Sequence, residues 1–185
     1  TNIKTCLGFG NGKVDHAYPV MRTEAGDWAR LAAGQRRETA DGRVLAVWDV
    51  SAPSGWAEFA FCFPHGPAEV DALVQDRGLH RDVIGVSQGG RNMVRLANRY
   101  GSDGSDRSGI YCVAHQHASE MSGGWVLDGF LRRIAERGED APTVWAVPMS
   151  NVDGLVEGDY GKDPFPWDLN RAWTQPPMRH EVLVI

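Results

Sequence analysis

The chain has 185 residues, 42% of them hydrophobic and 23% charged, with 19 Lys and Arg against 24 Asp and Glu for a formal net charge of −5. This is the composition of a folded globular protein of one or two domains, and it excludes a disordered or collagen-like chain. The longest apolar runs, such as Val44 to Trp48 and Val182 to Ile185, fall far short of the roughly 18 residues of a bilayer span, and no basic run exceeds two residues, so neither membrane nor nucleic acid is an expected partner.

Gly8, Gly10 and Gly12, then Ala17-Tyr18-Pro19-Val20 and Gly26-Asp27-Trp28, are turn residues between short apolar stretches, which favours strands and loops. Arg43 to Val50 and Trp56 to Phe63 are rich in β-branched and aromatic residues and flank Ser51 to Gly55, so they are expected to pair antiparallel. Pro64 ends the second strand, and Pro67 opens a helix with Val70, Leu73 and Val74 on one face. Val83 to Val86, Gln88-Gly89-Gly90 and Met93 to Ala97 form a hairpin signal, which makes Ser87 a turn residue rather than a nucleophile. Gly101 to Asp106 reads as a solvated loop before a buried strand at Ile110 to Ala114.

Val126, Leu127, Phe130, Leu131 and Ile134 make a stripe along a helix over 122–137, and Thr143 to Pro148 supplies the next buried strand. A strand–helix–strand unit of this kind implies parallel strands, with ligands bound beyond their carboxyl ends. The composition shifts near residue 76, so the expected domains are a β-rich 1–75 and an α/β 76–185. Cys6, Cys62 and Cys112 are odd in number and widely spaced, which fits neither a disulfide framework nor a zinc ribbon and points to a reducing, cytoplasmic setting. Cys62 and Cys112 read as small apolar strand residues.

His117 and Glu120 stand where the strand at Ile110 ends and the following helix begins. An imidazole and a carboxylate three residues apart at that edge are a usable pair of zinc ligands, since catalytic zinc combines about three protein donors with one open position. His115, two residues earlier, points to the other side of an extended segment and is read as a partner of the ligand. Asn151 and Asp153 are read as turn formers, and Trp125 and Trp173 as core aromatics.

After His117-Ala118-Ser119-Glu120 come Val147-Pro148-Met149-Ser150-Asn151-Val152-Asp153-Gly154 and then Asp168-Leu169-Asn170-Arg171-Ala172-Trp173. In order and spacing this resembles the M14 zinc carboxypeptidases, in particular the cytosolic-carboxypeptidase-like branch. The pattern there is His-Pro-Gly-Glu, Pro-x-x-Asn-Pro-Asp-Gly-Val, Gly-Asn-Tyr-Arg and Asp-Leu-Asn-Arg-x-Trp. Gly12-Lys13, Tyr18-Pro19-Val20 and Phe59 to His65 resemble the β-sandwich domain that precedes the catalytic domain in that branch.

The resemblance implies an α/β fold, a β-sandwich-like N-terminal part followed by the first half of a mixed-sheet zinc carboxypeptidase domain. It implies a Zn2+ cofactor on His117 and Glu120, a substrate carboxylate held by Asn170 and Arg171, and peptide or protein C-termini as partners. Ala118-Ser119 and Val152 depart from the pattern at positions that supply no ligand. Gly161 stands where the arginine that steadies the oxyanion is expected, and Lys162 beside it is the candidate replacement. The third ligand and the general base belong further downstream in the family, and His180 and Glu181 match neither. The chain is therefore expected to be part of a longer enzyme, inactive alone and completed by the missing C-terminal part. A deacylase acting on acylated amino acids and a non-catalytic carboxylate-binding module of the same fold are the alternatives; Trp173 in place of the deacylase Phe-Pro-Gly favours the peptidase.

Overall fold

The computed structural model describes residues 18–51, 55–100, 109–162 and 167–185. The expected turns at Gly8 to Gly12, the Gly12-Lys13 pair, Cys6 and the Gly101 to Asp106 loop lie outside the described residues. The chain divides between Pro64 and His65 into two compact units.

The first unit holds β1 (Val20–Thr23), β2 (Ala29–Arg30), β3 (Gln35–Glu38), β4 (Val44–Val47) and β5 (Ala57–Ala60). β1 lies between β2 and β5 and is antiparallel to both, with Val20 opposite Arg30 on one side and Ala60 on the other. β3 and β4 form a separate hairpin, Gln35 opposite Val47. The expected pairing of Arg43–Val50 with Trp56–Phe63 is therefore corrected, because β4 and β5 belong to different sheets. The reason is a closer turn. Asp41-Gly42 carries Gly42 at φ +78°, Gly42 N–H donates to Thr39 O at 2.9 Å, and Thr39 N–H donates to Arg43 O at 2.9 Å. The five residues 39–43 between β3 and β4 close before the nine residues 48–56 between β4 and β5 compete. Among the described residues this unit holds two small antiparallel sheets, with Phe59 and Phe61 56% and 55% exposed, and the expected sandwich is not confirmed.

The second unit opens with α1 (Pro67–Arg77), which starts on Pro67 and ends on Gly78 at φ +63°. Glu69 Oε2 accepts from Gly66 N–H at 2.8 Å, satisfying one of the donors a helix start leaves free. β6 (His80–Val86), β7 (Asn92–Ala97), β8 (Ile110–Val113), α2 (Met121–Arg137), β9 (Val144–Val147), α3 (Val152–Glu157) and α4 (His180–Val184) come next in the chain. The sheet order is β6-β7-β9-β8, antiparallel except for the parallel β8–β9 pair, in which Ile110 stands opposite Val144. This is the strand–helix–strand unit that the sequence pattern implied, within the mixed sheet that the resemblance implied.

Val70 and Leu73 of α1, Met93 and Leu96 of β7, Leu131 and Ile134 of α2 and Val144 and Ala146 of β9 form one apolar cluster. α1 thus shares a core with the α/β elements of its own unit. The stripe on α2 is narrower than expected. Leu127, Leu131 and Ile134 are buried beside Gly124 and Asp128, whereas Val126 is 73% exposed. β8 is likewise less buried than its apolar sequence suggested, with Ile110 and Tyr111 exposed, because it is an edge strand among those described.

Candidate active site

The parallel pair β8–β9 sends two loops out of the same sheet edge, and backbone bonds tie them together. Ala114 O accepts from Ser150 N–H at 3.1 Å and from Ser150 Oγ at 2.7 Å, and His115 O accepts from Asn151 N–H at 3.1 Å. Asn151 caps α3, its Oδ1 accepting from Gly154 N–H at 3.3 Å, as expected of a turn former. Asp153 departs from that expectation. Its carboxylate reaches across to the β6–β7 turn, accepting from Ser87 Oγ at 2.7 Å, Gly89 N–H at 2.8 Å and Arg91 at 2.7 Å.

His117 is 6% exposed and sits between two carboxylates. Its Nε2 lies 2.9 Å from Asp168 Oδ1 and its Nδ1 lies 3.1 Å from Glu120 Oε1. A neutral ring that donates Nε2–H to Asp168 turns the Nδ1 lone pair toward Glu120. Two lone-pair donors then face each other at 3.1 Å, close to the roughly 3.3 Å between two ligands that each sit about 2.0–2.1 Å from a tetrahedral zinc. The donor set therefore fits a zinc ion held by His117 Nδ1 and Glu120, with Asp168 fixing the ring from behind. Glu120 also occupies the N-cap of the 17-residue α2, where the helix dipole favours negative charge. Among the described residues no group of three His, Cys, Asp or Glu side chains surrounds such an ion.

The same Asp168 oxygen accepts from the backbone N–H of Asn170 at 2.9 Å and starts the 3-10 turn Leu169–Arg171. Asp168 thus ties the turn bearing Asn170 and Arg171 to the ring of His117, a link the sequence reading missed. The signal was available, since an Asp just before a short helical turn is a preferred cap. Asn170 and Arg171 are both exposed, so their side chains are open to an anion.

Gly161 packs on the ligand loop at φ +89°, and a side chain there would overlap Ala118 N and the backbone of His117. Tyr160 O beside it accepts from Ser119 N–H at 3.3 Å and Ser119 Oγ at 3.0 Å. Position 161, where the resemblance implies an arginine, therefore has no room for one. Lys162 places its ammonium 3.4 Å from Glu120 Oε1 and 5.2 Å from the centre of the Tyr160 ring. Burial pulls its pKa down, but Tyr160 and then Glu120 outweigh that and hold it above the usual lysine value.

His115 is 3% exposed and adopts φ +56°. Its Nδ1 is 3.3 Å from Ala118 O, and its Nε2 is 3.3 Å from His65 Nδ1, with the two rings stacked 5.4 Å apart. Burial, reinforced by His65, lowers the pKa of His115 to about 4. Burial also lowers that of His65, against the opposing charges of Asp128 and Glu69. Trp125 and Trp173, expected in the core, are 42% and 46% exposed, and Trp173 Nε1–H donates to Gln116 Oε1 at 2.7 Å. His180 is exposed, and Glu181 is fully buried against Arg179 at 3.0 Å, so neither adds to the His117 site. Cys62 and Cys112 are of intermediate exposure.

No protein-family profile matches the chain. Over 79 residues it is 32% identical to cytosolic carboxypeptidase 3 of Bos taurus, a match covering 40% of this chain and 8% of that protein. Over 93 residues it is 31% identical to cytosolic carboxypeptidase 3 of Mus musculus, covering 45% of this chain and 9% of that protein. Its fold is similar to that of a metallo-carboxypeptidase from Burkholderia cenocepacia, with a TM-score of 0.68 and 25% identity over 92% of this chain and 48% of the other. The chain thus spans less than a tenth of the curated relatives it matches and about half of the solved structure. Among the described residues no helix is long and apolar enough to cross a membrane.

Proposed function

We propose that this chain, a cytosolic-carboxypeptidase-like protein of the M14 group, carries two zinc ligands and the carboxylate clamp of a cytoplasmic metallocarboxypeptidase acting on the C-termini of peptides or proteins. The observation that carries the reading is the pair of hydrogen bonds that Asp168 Oδ1 accepts, from His117 Nε2–H and from Asn170 N–H, each at 2.9 Å. It couples the ring that faces Glu120 to the turn that bears Arg171. Cleavage of a last residue needs this coupling, because the free carboxylate lies one residue beyond the bond to be broken.

His117 Nδ1 and Glu120 would hold the metal, and a third donor and a general base would come from outside this chain. Zinc bound there supplies Lewis acidity and lowers the pKa of a bound water. Arg171 grips the terminal carboxylate through two parallel charge-assisted hydrogen bonds, and Asn170 adds a donor. Lys162 brings a cation to the ligand side of the site, in reach of the negative charge that develops on the carbonyl oxygen.

The test, made in the intact enzyme, compares a peptide acid with its matching amide. Arg171→Lys keeps the charge and loses the planar fork, so peptide acids react worse by on the order of 2 kcal/mol while amides, already poor, barely change. The preference for acid over amide shrinks in the variant. An unchanged preference removes Arg171 from the site and leaves a surface arginine.

A further inference from the structure

We propose that His65 is a positioning residue for the metal ligand His117, acting through His115; this rests on the reading of His117 as a ligand. The ring of His115 bridges back to Ala118 O at 3.3 Å, so its side chain closes the 115–118 turn around His117. A carbonyl only accepts, so His115 Nδ1 carries the proton. With one proton on the ring, His115 Nε2 is then an acceptor, and its partner at 3.3 Å, His65 Nδ1, must donate. His65 therefore selects the tautomer that holds the turn shut. The other nitrogen, His65 Nε2, is buried without a partner among the described residues, so the bond to His115 is the one the protein provides for this ring.

Two further features show that the pair is built rather than incidental. His115 holds φ +56°, a conformation uncommon for a non-glycine residue that its own side-chain bond to Ala118 helps secure. Helix α2 presents Gly124 to the pair, and a methyl there would overlap both His115 Nε2 and His65 Nδ1. The adjacent Gly123 faces open space. Two glycines weaken the start of α2, and only the second is required by the imidazoles.

The experiment is side-chain nitrogen NMR of the 185-residue chain, monitored through a titration with zinc chloride. Wild type is expected to show His65 and His115 with the proton on Nδ1, His117 with the proton on Nε2, and the His117 Nδ1 signal moving with zinc. His65→Leu and Gly124→Ala are expected to mix the His115 tautomers and weaken zinc binding at His117 by about tenfold or more. His65→Asn, whose amide nitrogen stands where Nδ1 stood, restores most of the affinity, and Gly123→Ala binds as wild type. Should His65→Leu fail to fold, Gly124→Ala decides. Unchanged zinc affinity in the folded variants, or a wild-type His115 protonated on Nε2, overturns this inference while leaving the ligand reading standing. A wild-type His117 unmoved by zinc overturns the ligand reading itself, and this inference with it.

Discussion

Oδ1 of Asp168 accepts the ring N–H of His117 and the backbone N–H of Asn170, each at 2.9 Å, so a single side chain orients the proposed ligand and starts the turn that bears the proposed clamp. Asp168→Asn separates these duties. The amide oxygen still caps Asn170, but the neutral group no longer polarises the imidazole, so zinc affinity is expected to fall about 10–100-fold with little loss of fold stability. Competition against a chelator measures it, and equal affinity in the two proteins would exclude Asp168 from any part in metal binding. At this scale the spacing of His117 and Glu120 brings them forward, and the resemblance brings forward Asn170 and Arg171, as proposed site residues. Neither carries the roles of His65 and Asp168, because each depends on a neighbour about fifty residues away that only the folded sheet brings close.

At the scale of elements, local signals are legible and distant partners are not. The β6–β7 hairpin, α2 and the parallel β8–β9 pair arise from turn residues and periodicity within short windows. The pairing of β4 is hidden because Asp41-Gly42, a strong hairpin signal, stands in a run too polar to look like a strand edge. Asp153 reads as a local turn former because nothing in its neighbourhood reveals that Ser87, Gly89 and Arg91 arrive from another hairpin. Gly161 gives the sharpest prediction of this kind. With φ +89° and the ligand loop lying against it, Gly161→Ala is expected to lose about 2 kcal/mol or more. Gly129→Ala, in the interior of α2 with open space beside it, is expected to gain about 0.5–1 kcal/mol. Urea denaturation reads both, and equal midpoints would mean that the close approach at Gly161 does not exist.

For the second unit as a whole, two carboxylates fasten the β6–β7 turn to the later helices α3 and α4. Asp153 reaches it from α3, and the fully buried Glu181 reaches it from α4, accepting from Gln88 N–H at 3.1 Å and Arg179 at 3.0 Å. Burial alone would raise both pKa values; Arg179 and the Gln88 amide outweigh it at Glu181, and Arg91, Ser87 and Gly89 outweigh it at Asp153, so both are lowered. A folded-state pKa below the unfolded one contributes stability that is complete above the unfolded value, about 4, and is lost as pH falls through the folded value. Stability is therefore expected to begin falling below about pH 6.5, where His65 and His115 protonate in the unfolded chain before the folded one, and to fall further below about pH 5, where the decline is shallower in Asp153→Asn and Glu181→Gln. Denaturant melts between about pH 3 and 7 check this, and parallel curves for the three proteins would contradict it.

The account turns on a metal between His117 and Glu120, and diffraction recorded on both sides of the zinc absorption edge, from crystals of the protein grown with zinc, tests it most directly. The predicted result is an anomalous peak about 2.0–2.2 Å from His117 Nδ1 and from a Glu120 carboxylate oxygen, with His117 Nε2 still on Asp168. A peak elsewhere, or zinc bound through Nε2 with Asp168 displaced, would contradict the account.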